Sequence, residues 1–193
     1  MRTLILMLIL LFPSLAFAKS ESGSSDAASV VAYGAYGTTI VAVNVDSSGR
    51  ILTSSILNSS LGADGNYSGI VEAGTAGAVL AFGDFVYLSV TDSRWELTDA
   101  DADATAGAVK IGVCVLAAAG DGSATTILTY GEIRADSNFP TFTVGAPVYL
   151  STTAGDSQTA QPSGTDDVIR IIGYGTTADQ LFFNPSDDYI THT

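Results

Sequence analysis

"GDFVYLS", Gly83–Ser89, returns 62 residues later as "GAPVYLS", Gly145–Ser151. The likeness continues downstream. A polar stretch, Ser89–Gly107, leads to Val109-Lys110-Ile111-Gly112-Val113, and a second, Ser151–Asp167, leads to Arg170-Ile171-Ile172-Gly173-Tyr174. Tyr87 to Gly112 is 25 residues and Tyr149 to Gly173 is 24. A third apolar run closes each copy, Thr126–Tyr130 in the first and Gln180–Phe183 in the second. The order strand, polar excursion, strand, turn, strand is therefore written twice. Two units are too few for a solenoid but suit a small β-barrel or sandwich built from two similar halves.

Alternation within the runs supports strands. Val86 and Leu88 fall on one face, with Phe85 and Tyr87 on the other. Val109, Ile111, Val113 and Val115 line one face, and Lys110 points the opposite way. Pro147 has no amide hydrogen, so its strand begins there or lies at a sheet edge. Composition agrees, with 20 Gly and abundant Ser, Thr, Ala and Val among 193 residues. Straight-chain helix formers are scarce after the N-terminus. The fold class expected is all-β, with a pseudo-repeat over about 80–131 and 142–185 inside a β-domain of 63–193.

Two regions precede that domain. Arg2, the apolar run Leu4–Phe12 and the A-x-A pattern ending at Ala18 read as a secretory signal peptide over 1–18, cut after Ala18. The apolar run is too short for a membrane span, and no later segment is long enough. Residues 19–62 read as an attachment region: a flexible lead over Lys19–Ser29, then a β-hairpin pairing Thr38–Val45 with Arg50–Ser54 around Asp46-Ser47-Ser48-Gly49. Asn58–Asn66 reads as a linker. Asn58-Ser59-Ser60 and Asn66-Tyr67-Ser68 fit the N-glycosylation sequon, which matters only in a eukaryotic secretory pathway.

The net charge is −13, and loss of residues 1–18 removes Arg2 alone, leaving 6 basic and 20 acidic residues, net −14. Such a surface repels phosphate backbones and anionic lipid, which excludes nucleic-acid binding. Enzymatic chemistry finds no constellation. The single histidine, His192, stands one residue from the chain end, and the single cysteine, Cys114, lies in an apolar strand pattern as a buried inert thiol.

Asp99, Asp101 and Asp103 alternate in "DADADAT". In an extended segment their carboxylates would share one side, about 6–7 Å apart, a row with oxygens of the kind Ca²⁺ takes. The EF-hand pattern fails at Ala104 and Lys110, where it needs Gly and Glu. A solvated acidic loop with no cofactor is the expected reading, and Ca²⁺ at a subunit contact is the alternative. Tyr33, Tyr36, Tyr67 and Tyr130 are candidates for a subunit interface, with a carbohydrate-stacking surface as the alternative.

The C-terminal stretch resembles a segment of tailed-bacteriophage virion structural proteins of the tail-fibre, head-fibre or capsid-decoration kind. The shared features are Gly145–Ser151, Pro162-Ser163-Gly164, Arg170–Tyr174 and Phe183–Ser186. Upstream, "AGAVLAFGDFVYLS" ending at Ser89 and "WELTDADADATAG" at Trp95–Gly107 are similar to the same group, as "VNVDSSGRILTS" is to shaft or attachment segments. The resemblance covers roughly residues 70–193 well. It implies a non-enzymatic all-β structural protein, often a homotrimer, whose partners are itself and the capsid or tail proteins of a phage particle. A signal-like N-terminus departs from that group, so the expected location is the virion or the extracellular space. Two other readings stand beside it: a secreted bacterial surface or filament subunit, and a carbohydrate-binding tip module with a surface glycan as partner.

Overall fold

The computed structural model describes residues 57–193 throughout and, before them, three strands: β1 (Phe17–Lys19), β2 (Ser29–Ala32) and β3 (Val41–Asn44). The chain divides into two units, Met1–Ile56 and Leu57–Thr193. In the first, β2 pairs antiparallel with both neighbours, Ala18 opposite Val31 and Val30 opposite Val43. β1 spans the expected cleavage point after Ala18, and Lys19 and Ser29, the two ends of the expected flexible lead, lie in strands. The partner of Val41–Asn44 is Ser29–Ala32, while Arg50–Ser54 lies outside the described residues.

The second unit carries β4 (Tyr67–Thr75), β5 (Phe85–Leu88), β6 (Trp95–Leu97), a one-turn helix α1 (Asp103–Ala106), β7 (Ile111–Leu116), β8 (Ala124–Arg134), β9 (Pro147–Leu150), β10 (Ser157–Gln158), β11 (Val168–Ile169), β12 (Ile171–Gly175), β13 (Gln180–Phe183) and β14 (Ile190–Thr191). One antiparallel sheet runs β10-β9-β12-β13-β8-β7-β5-β6, with β4 also on β8, and curls into a half-barrel. Its strand order displays the repeat. β6-β5-β7-β8 and β10-β9-β12-β13 are the same four-strand unit, placed so that β8 and β13 meet.

Hydrogen bonds repeat as well. Gly83 N–H donates to Cys114 C=O and Gly145 N–H to Gly175 C=O, both at 2.8 Å. Cys114 N–H donates to Asp84 C=O, and Gly175 N–H to Ala146 C=O. Ser89 N–H donates to Arg94 C=O, and Ser151 N–H to Asp156 C=O. Val86 stands opposite Gly112 as Val148 stands opposite Gly173. Both leading glycines are left-handed, φ +94° at Gly83 and +78° at Gly145, which explains why each strand is preceded by Gly. No atom lies within 4 Å of a Cβ built at Gly145, so only the backbone would resist a side chain there. Gly145→Ala is expected to destabilise by about 1–2 kcal/mol. Gly62→Ala, also in open space but without a positive φ, should change stability by less than about 0.5 kcal/mol. Urea denaturation of the two variants checks the pair.

β8 holds the halves together. β4 runs along one edge of it, while on the other edge β7 takes Thr126–Leu128 and β13 takes Gly131–Arg134. The two half-sheets diverge there and enclose the main core, which joins Phe85, Ile111, Val113, Leu128 and Ile133 to Val148, Leu150, Ile172, Leu181 and Phe183. A second cluster covers the outer face of the first half, where Ala76, Leu80 and Ala118 close over Val86, Trp95, Cys114 and Ile127. The copies therefore use the same pairing with opposite faces: Val86 turns outward into the covered cluster, and Val148 and Leu150 turn into the main core. The expected linker at Asn58–Asn66 is part of this unit at its start. Leu61 is buried and its N–H donates to Gln180 Oε1 at 3.1 Å.

Candidate interaction surface

Directly paired residues on neighbouring strands point to the same side of a sheet. Tyr67 is opposite Ile133, a main-core residue, and Tyr130 is opposite Ile70. The two described tyrosines therefore lie on opposite faces of the β4–β8 ribbon, at 41% and 37% exposure, and do not form one surface. Tyr33 and Tyr36 lie outside the described residues.

Tyr130 instead belongs to a row that crosses five strands. Ile70 on β4 faces Tyr130 on β8, whose ring meets Phe182 on β13 edge-on at 5.4 Å. Phe182 is opposite Tyr174 on β12, and Tyr174 is opposite Pro147 on β9. Leu181 and Phe183 alternate with Phe182 and point into the main core, so the row lies on the outer face. Ile70 is 63% exposed and Tyr174 43% exposed. On the first half the corresponding face is closed by Ala76, Leu80 and Ala118, whereas on the second half the row is open.

Polar groups around the row are already matched. Glu132, on the same face but buried, accepts from Gln180 Nε2 at 2.8 Å and Thr176 Oγ1 at 3.0 Å. Gln180 Nε2 also donates to Ser59 C=O at 3.0 Å. Glu72, the one charged residue of β4, takes Lys110 Nζ at 2.6 Å on both carboxylate oxygens, and Lys110 sits over the Trp95 ring. β4 pairs with β8 alone among the described strands, which leaves one edge of a nine-residue strand open.

The acidic row is rearranged. Asp99–Ala102 turns rather than extending, and α1 begins at Asp103, so the three carboxylates do not line one side of a strand. Asp99 Oδ1 accepts from Asp101 N–H at 3.0 Å, and Ala100 is buried in the main core. Desolvation, with Asp99 and Asp167 nearby, raises the Asp101 carboxyl above its usual range. Among the described residues no group of three or more His, Cys, Asp or Glu side chains is placed to hold a metal ion.

Arg170, at the start of the Arg170–Tyr174 segment, is a fold clamp that composition and spacing did not reveal. Its guanidinium is buried and donates to the carbonyls of Ser186, Ala106, Gly107 and Val109. It thereby ties the C-terminal loop to the end of α1 and the approach to β7. Burial pulls its pKa below the ordinary arginine value, against the opposing pull of Asp187 and Tyr189. His192 is likewise anchored, its N–H donating to Asp167 C=O at 2.8 Å.

Cys114 is buried as expected, and desolvation raises its thiol pKa against the hydrogen bonds to Thr125 and Leu116. A group raised on folding favours its protonated form, so its contribution to stability is present below the unfolded thiol pKa and falls as pH rises through the folded one. An aromatic disulfide reagent at pH 8 should label the folded protein at least a hundredfold more slowly than the protein in 8 M urea. Equal rates would show the site open.

Among the described residues no helix is long and apolar enough to cross a membrane. No family model, curated protein or solved structure matches the chain.

Proposed function

We propose that the protein is a non-enzymatic structural subunit of a phage particle, a fibre or capsid-decoration protein that acts by homo-oligomeric β-assembly. One observation carries the reading. The residues shared with that group of virion proteins are spent on the scaffold: Gly145 in the left-handed turn, Val148, Leu150 and Phe183 in the main core, Arg170 in the carbonyl clamp. Gly173 belongs with them, because a Cβ there would run into the Phe182 carbonyl. Residues in such positions serve the shape of the domain, which suits a mechanical part. Homotrimeric packing and attachment to capsid or tail proteins follow from the same resemblance.

Mass spectrometry of gradient-purified particles from the source culture tests this. Co-purification with capsid proteins is the expected result, and the first peptide will begin at Met1 or at Lys19. Absence from particles, with a Lys19 start in the supernatant or cell-surface fraction, would replace the reading with a secreted surface or filament subunit.

A further inference from the structure

We infer that the outer face of the second half, the row Ile70–Tyr130–Phe182–Tyr174 with the open edge of β4 beside it, is where a second copy of this chain docks. The inference rests on the homo-oligomeric part of the function proposed above and gives it a location. Three observations lead to it.

The repeat supplies an internal comparison. The outer face of the first half is closed by Ala76, Leu80 and Ala118, and its counterpart on the second half bears an apolar row that the described residues leave exposed beyond the Asn58–Leu61 segment at its side. Contiguous exposed apolar surface of this kind marks an interaction site, and aromatic side chains are enriched at interface centres.

The β4 edge lacks the usual guards. Exposed edge strands are protected by charged side chains, especially Lys, by Pro, by bulging of the strand itself or by short length. β4 is nine residues long and has no Lys or Pro, its one charged side chain, Glu72, is tied to Lys110, and the extra residue at the Ile70/Val71 irregularity, Thr129, belongs to β8. Such an edge accepts another strand.

Charge selects the occupant. Copies of a chain with net charge −13 repel one another over most of their surface. The row has no charged side chain, and the one carboxylate of β4 is neutralised within the chain by Lys110. This strip lets two acidic copies approach. A basic partner would instead be drawn to the acidic remainder of the surface.

The full chain should be examined by size-exclusion chromatography with light scattering over a hundredfold concentration range, as wild type and as Ile70→Lys/Tyr174→Lys. Both positions are exposed, so the variant keeps the core intact, and Val90→Lys on the exposed Ser89–Ser93 turn is the control. Wild type and control are expected to assemble, and the double variant to dissociate with at least a tenfold weaker constant. Hydrogen exchange on wild type provides a second readout: peptides covering 67–75, 128–132 and 172–182 should gain protection as concentration rises. A double variant that assembles with unchanged affinity, or exchange that is independent of concentration at those peptides in an assembling wild type, overturns the location alone. A wild type that stays monomeric throughout overturns the homo-oligomeric reading with it. Oligosaccharide binding by a monomer, lost in Tyr130→Ala or Tyr174→Ala, would overturn it in favour of a glycan surface.

Discussion

Arg170→Met should cost about 3 kcal/mol or more in unfolding free energy, measured by urea denaturation followed by tryptophan fluorescence. The methionine fills much of the space but donates nothing. Carbonyls of Ala106, Gly107, Val109 and Ser186 then lose a charged donor, two of them at buried bonds. Each buried acceptor left unmet costs about 1–3 kcal/mol, and part of the sum is recovered where water or local bonds replace the guanidinium. Domains of this size are stable by about 5–15 kcal/mol, so the variant retains a fold but a weak one. Arg170→Lys should recover only part of the loss, because an ammonium cannot span carbonyls on two segments as a planar fork does. A loss below about 0.5 kcal/mol for Arg170→Met would show that the clamp is incidental.

The second large effect is at Phe85. Its ring lies fully inside the main core, 5.8 Å from Phe139 and 6.1 Å from Phe183. Phe85 belongs to the first copy and Phe183 to the second, so this contact fastens one half to the other. Phe85→Ala should lose about 3–5 kcal/mol through lost burial and the cavity left behind. Phe85→Leu, which restores most of the volume, should recover about half of that. If both variants unfold at the wild-type urea midpoint, the halves are held by β8 pairing rather than by the core.

Much of the fold was legible because its signals are local. Left-handed turns favour glycine, and both copies place one there, Gly83 and Gly145. Period-two alternation put Phe85 and Val86 on opposite faces, and Ile111, Val113 and Val115 together opposite Lys110. Pro147 marked the first residue of β9 for want of an amide hydrogen. β4 escaped notice because its run "YSGIVEAGT" is rich in small residues and its apolar positions do not alternate.

What the sequence by itself determined, then, is the repeated unit, the all-β class and the residues that begin and alternate along each strand, since these depend on backbone sterics and a period of two. Which face of each copy is buried was decided only in three dimensions. The same Val-Tyr-Leu-Ser turns its valine outward in one half and inward in the other, because Ala76, Leu80 and Ala118 cover the outer face of the first half and no described residues cover the second in that way. Arg170 acquired its carbonyls, and Tyr130 its place beside Phe182 instead of Tyr67, in the same way. Burial and hydrogen bonding between distant segments are properties of the closed sheet, and no local pattern encodes them.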